Sequence, residues 1–232
     1  IEVDAHDPAY ALTIDPIILY STYLGGGGGE AIAGVAVDDF RAIYVAGVTS
    51  SSNFPLAGLE PVPPPLAWLQ GFSDVFVAKI NPAGDAIEYA VYLGGMTDEE
   101  GQDIAIDSSG NAYVVGFVHQ PATGFPILNA FQTTLAGGLG DAIVAKFNPD
   151  GTLRYSSFLG GKGAGIDNSY ERAHAVAADD EGHLYVTGAT SSSVNFPIVG
   201  GVQSANKGGF DMFVTKVAPG GNTAYIFTVD PT

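Results

Sequence analysis

Cysteine is absent from all 232 residues. That excludes disulfides, thiolate nucleophiles and cysteine-bound metals. Bases are scarce: 8 Lys and Arg stand against 25 Asp and Glu, a net charge of −17. So acidic a chain lacks the basic footprint of nucleic-acid binding and is repelled by anionic membrane surfaces. No apolar run approaches the roughly 18 residues of a membrane helix, so no membrane insertion is expected. The opening Ile1-Glu-Val-Asp4 is not a basic segment leading into an apolar core, so no secretory leader is read there. The first residue is not Met, and the chain is expected to be a processed or excised piece. Catalytic signatures are missing as well. There is no G-x-S-x-G, and the histidines His6, His119, His174 and His183 lack metal-ligand spacing. The glycine run at 25–29 is followed by neither the Lys nor the helix of a phosphate loop.

What the chain has instead is glycine and short β-prone runs. A hydrophobic content of 46% excludes disorder, and 32 glycines without a collagen period are turn residues of a strand-rich fold. Several landmarks occur three times. Y-L-G-G at Tyr23 returns at Tyr92 and, as F-L-G-G, at Phe158. Phe-Pro stands at Phe54, Phe125 and Phe196, 71 residues apart each time. D-x-x-V-[AT]-K opens at Asp74, Asp141 and Asp211, and Y-V-x-G at Tyr44, Tyr113 and Tyr185. An internal repeat of this length governs the whole fold.

Each repeat holds four strand signals. In the middle copy they are 103–107, 111–116, 141–147 and 154–159. D-S-S-G-N and N-P-D-G join the first pair and the last pair, and such turns suit short hairpins because Pro sets φ and Gly supplies positive φ. Four antiparallel strands recurring at a fixed period predict the blades of a β-propeller. The fold class is therefore all-β, with blades at about 33–95, 102–161 and 173–229. Residues 1–16 lie outside the repeat and carry two short strand signals, at 1–5 and 10–15.

The succession Y-S-T-Y-L-G-G, I-A-I-D-S-S-G-N-A-Y-V-V-G, F-P, D-A-I-V-A-K-F-N-P-D-G and S-F-L-G-G resembles the bacterial β-propeller repeat called SBBP, over residues 17 to about 229. The resemblance implies a propeller carried in an exported bacterial protein, extracellular or at the cell surface. It implies no defined reaction.

Strand counting leaves a closure problem. Residues 17–24 make an outer strand with no blade of their own, and three blades fall below the usual four to eight. The N-terminal strands can complete a small fourth blade, several chains can share one ring, or a terminal strand can add to an open edge of a neighbour. Self-association is the favoured expectation, because an open edge left bare invites aggregation.

Site candidates follow from the same alignment. Eight residues before Asp38, Asp107 and Asp179 stand Glu30, Glu99 and Glu171, one per blade. With Asp103, and with Asp98, Glu100 and Asp167 nearby, they form a candidate oxygen-ligand site for Ca2+ on the axial rim. The competing reading is a solvated acidic rim. Asp74, Asp141 and Asp211 are expected to fix loops through backbone N–H groups. Lys79, Lys146 and Lys216 are expected to form salt bridges with packed stems, and the three motif tyrosines to pack internally. Trp68, in the proline-rich first long loop, is a candidate contact for carbohydrate or a partner, or packs on its own blade. The leading function expected is an exported, non-enzymatic, self-associating structural or adhesive propeller. A calcium-assisted carbohydrate-binding module and a polysaccharide-active enzyme are the alternatives.

Overall fold

The computed structural model describes residues 17–59, 61, 63, 65–163, 169–221 and 224–225. The strands expected at 1–5 and 10–15, Asp167, and the end of the last outer strand lie outside these residues.

The described residues form three four-stranded antiparallel sheets. The first holds β1 (Glu30–Val37), β2 (Ile43–Thr49), β3 (Asp74–Ile80) and β4 (Ile87–Leu93). The second holds β5 (Glu99–Ile106), β6 (Ala112–His119), β7 (Gly140–Phe147) and β8 (Leu153–Leu159). The third holds β9 (Glu171–Ala178), β10 (Leu184–Thr190), β11 (Asp211–Val217) and β12 (Ala224–Tyr225). Strand order follows chain order in each, so every sheet is a meander and every sheet is one expected blade. β5 packs on β1 and on β9, which places the blades side by side in sequence.

Each inner strand starts about three residues earlier than its repeat predicts. A bulge hides the alternation there: the ladder skips a residue between Ile32 and Gly34 in β1 and between Gly101 and Asp103 in β5. In β9 the skip lies between Ala173 and Ala175. The bulge also accounts for the glycine of Y-V-x-G. A Cβ on Gly47, Gly116 or Gly188 would stand 2.0, 2.0 or 2.1 Å from the carbonyl oxygen of Ala31, Glu100 or Arg172. Only glycine lets the bulged strand lie that close.

Two inter-blade cores carry the stability. Between blades one and two lie Tyr44, Val75, Val77, Tyr89, Ile143 and Phe147, all buried. Between blades two and three lie Tyr113, Val144, Tyr155, Leu184, Val186 and Phe213. Each such aliphatic or aromatic side chain contributes about 1.5–3 kcal/mol when fully buried. A third cluster on the free face of blade one gathers Phe54, Phe76 and Tyr92 under Leu24, Leu56 and Leu69.

The run at 17–24, expected as an unmatched outer strand, joins no ladder, and Ile17, Ile18, Leu19 and Tyr23 are exposed. The glycine run after it is anchored instead by side chains of blade one. The N–H groups of Gly27, Gly28 and Gly29 donate to Asn53 Oδ1, Ser51 Oγ and Ser50 Oγ at 2.7, 2.7 and 2.8 Å. The outer edges of β4 and β8 are partly taken by their own long loops, through the bridges Ala57–Ala90 and Leu128–Ser156. Strand addition on those edges therefore has less open backbone to use.

Candidate functional site

The recurring polar residues converge on the seams between blades. Asp74 opens β3 and accepts N–H bonds from Gln70 at 2.9 Å and Gly71 at 3.2 Å. Asp141 takes the N–H of Ala136 at 3.0 Å, and Asp211 that of Lys207 at 2.7 Å. All three fix the loops before them, as the sequence predicts.

The three glutamates are not on rim loops. Each is the first residue of its inner strand. Glu99 is fully buried; its carboxyl accepts from Gly95 N at 2.8 Å and Thr97 Oγ1 at 2.9 Å and hydrogen-bonds to the buried Asp74 of the preceding blade. The two carboxyls meet over Gly94, whose Cβ would stand 2.4 Å from Asp74 Cγ and 2.6 Å from Glu99 Oε2. That contact explains the first glycine of Y-L-G-G. Burial, with Asp74 beside it, pushes the Glu99 carboxyl up to about 8, and burial also raises Asp74. The pair therefore holds a proton at neutral pH. Glu171 is buried in the same place in the next seam, raised by burial, and accepts from Thr190 Oγ1 at 2.7 Å and Gly161 N at 3.1 Å. Among the described residues no blade precedes Glu30. It is partly exposed, bonded to Ser51 and Thr49, and the Ser51 hydroxyl holds its carboxyl below the usual range.

The structure thus commits Glu99 and Glu171 to separate seams and Glu30 to Ser51 and Thr49 of its own blade, and does not gather the three around one ion. Asp103 likewise ties strands together: Oδ1 accepts from Ile104 N and Oδ2 from Val176 N of the next blade, both at 2.9 Å. Among the described residues, one group of three brings its ligand atoms within 4.8 Å of one another, Asp179, Glu181 and His183. Asp179 there accepts from His183 N at 2.8 Å and Tyr185 Oη at 3.0 Å, and Lys216 Nζ lies 3.6 Å away. This is the first hairpin turn of blade three. His183 stands where Asn111 bonds Asp107 in blade two.

A second set of contacts rims the seams, and only part of it is visible in sequence. Lys79 pairs with Glu88 at 2.8 Å, while Lys146 and Lys216 pair with Asp107 and Asp179 at 3.8 and 3.6 Å. Each ammonium lies over a motif tyrosine, 5.2, 4.7 and 4.8 Å from the ring centres of Tyr44, Tyr113 and Tyr185. The tyrosine hydroxyls do what the pattern did not announce. Tyr44 Oη donates to Asp38 and lies 3.4 Å from the carbonyl oxygen of Gly110 in blade two. Tyr113 Oη donates to Asp107 at 2.8 Å and lies 3.1 Å from the carbonyl oxygen of Gly182 in blade three. Tyr185 is the same residue of the last blade.

Two surface features remain. Trp68 is half exposed, between the buried Leu66 and the partly buried Leu69. An open pocket of about 450 Å3 at the second seam is lined by Phe117, His119, Gln120, Leu139, Tyr170 and Arg172. Arg172 pairs there with Glu100 at 2.9 Å.

No curated protein matches the chain. Residues 19–55 and 88–116 match the family model of SBBP, the beta-propeller repeat. The first match covers β1 and β2, and the second runs from β4 through the seam into β6. With three meander sheets packed side by side as propeller blades, the chain carries the SBBP beta-propeller repeat at residues 19–55 and 88–116.

Proposed function

We propose that this protein is a non-enzymatic, exported propeller that serves as a structural or adhesive unit and acts by associating with itself. The observation that carries this reading is the state of the two end faces. β1 leaves Ile32, Val35 and Val37 exposed, and β11 leaves Met212 and Val214 exposed. Apolar side chains exposed together along one strand mark contact surfaces. The non-enzymatic part rests on the recurring acids: each seam carboxylate is engaged by backbone, hydroxyl or carboxyl partners that position strands.

Two copies each carrying −17 repel one another, and salt screens that repulsion over a Debye length of about 10 Å at 0.1 M. Association through apolar faces is therefore expected to tighten as salt rises. Sedimentation velocity across a dilution series at low and high NaCl checks this. A species heavier than the 23.8 kDa chain, favoured by salt and lost on dilution, is the predicted result. A 23.8 kDa particle under every condition contradicts the proposal.

A further inference from the structure

We infer that the pocket at the second seam is a binding site for a neutral saccharide, a pyranose ring or the end of a glycan. The site goes beyond self-association, since all its lining residues belong to one chain. The repeat supplies an internal reference for it. Ladder pairing sets Val48 opposite Ala31 in blade one, Phe117 opposite Glu100 in blade two and Ala189 opposite Arg172 in blade three. The N–H groups of Ser50, His119 and Ser191 donate to the carbonyls of Gly29, Asp98 and Tyr170 at 2.9, 3.2 and 3.2 Å. These contacts align the blades residue by residue.

The pocket departs from that reference. Where the second seam has Phe117, His119, Tyr170 and Arg172, the first has Val48, Ser50, Asp98 and Glu100. The first seam packs without aromatic or basic side chains at these places, so the blade itself does not require them. Recognition sits where a rigid scaffold varies its loops and strand ends. The rim here is held by backbone. Gln120 N–H donates to the carbonyl of Leu139 at 3.0 Å, and Leu139 N–H to that of Ser169 at 2.7 Å. The walls are therefore preformed.

The side chains gathered there suit a ring with one apolar face and a rim of hydroxyls. Phe117 is 3% exposed and forms the floor. The Arg172 guanidinium lies 4.9 Å from its ring centre, and the His119 ring meets it edge-on at 4.7 Å. The partly exposed Tyr170, braced by Phe210 at 5.0 Å, and the exposed Leu139 make the apolar walls. The C–H face of a pyranose lies against such walls. Arg172 holds Glu100 through two nitrogens at 2.9 and 3.4 Å, and His119 Nε2 stands 3.7 Å from the same carboxylate. The guanidinium has N–H donors to spare after those two bonds, and the carboxylate has free lone pairs. Donor and acceptor thus stand side by side, with the Gln120 amide near them, and vicinal hydroxyls both donate and accept. The Glu100 carboxylate and the net charge of −17 disfavour an anionic ligand. The volume of about 450 Å3 lies within the roughly 300–1,000 Å3 of small-molecule sites.

Saturation-transfer difference NMR tests the assignment. The probes are the methyl glycosides of glucose, galactose, mannose and N-acetylglucosamine at millimolar concentration, with N-acetylneuraminic acid as the anionic arm. At least one neutral glycoside is expected to receive saturation through its C–H face. Tyr170→Asp and His119→Ser install the residues that the first seam carries as Asp98 and Ser50, so melting temperatures near that of the unmodified chain are expected. Leu139→Asp changes an exposed side chain and keeps the test valid where a seam variant unfolds. Each substitution should weaken binding by about tenfold, the loss of one good contact. No saturation of any of the four glycosides, saturation of N-acetylneuraminic acid alone, or binding unchanged by the three substitutions would overturn the site. None of these outcomes bears on self-association, which the sedimentation series decides by itself.

Discussion

Replacing Glu99 with Gln is expected to stabilise the fold by about 2–4 kcal/mol at pH 8 and to give no gain at pH 4.5. The sign follows from the proton. Glu99 holds it up to about pH 8 in the folded chain and releases it near 4.5 when unfolded. A carboxyl raised by folding contributes its full stability below the unfolded pKa and loses it as pH climbs through the folded one. Between those values each pH unit costs about 1.4 kcal/mol. Glutamine keeps the neutral form, donates to Asp74 as the protonated acid does, and gives up one acceptor toward Gly95 or Thr97, which costs about 1 kcal/mol. Thermal melts of both proteins from pH 4.5 to 9 check it. Curves separated by the same interval at every pH would show that Glu99 carries no extra proton.

The second large effect is expected from Gly116→Ala. The added Cβ would lie 2.0 Å from Glu100 O, which is backbone and cannot swing aside. Either β5 leaves β6 or the bulge opens, and either outcome disturbs Asp103 and the seam to blade three. A loss of about 3 kcal/mol or more is expected, at the upper end of overpacking costs. Gly220→Ala is the control, since its Cβ meets no atom of the described residues within 4 Å. It should change stability by less than about 0.5 kcal/mol. Chemical denaturation of the two variants separates them, and equal stabilities would contradict the bulge account of Y-V-x-G.

The meander was legible because alternation and hairpin turns are local. Val75 and Val77, or Val144 and Ala142, alternate with their neighbours, and Gly84 and Gly151 close the turns at φ 75° and 85°. The role of Asp74 was legible for the same reason, since Gln70 and Gly71 lie just before it, and the partner of Lys79 sits on the next strand. Lys146 and Lys216 instead reach Asp107 and Asp179 across β6 and β10. The glutamates were misplaced because a bulge breaks the period two at the start of each inner strand. The pairing of Glu99 with Asp74 was not legible. The two stand 25 residues apart on different blades, and only the packing of one blade on the next brings them together. Trp68 was named as a contact or as core. At half exposure it is neither fully buried nor fully presented.

The central claim is that the protein acts by associating with itself through exposed apolar faces such as those of β1 and β11. Electron microscopy of the protein at high salt tests it most directly. Particles holding more than one chain are the predicted result, and single-chain particles throughout would contradict it.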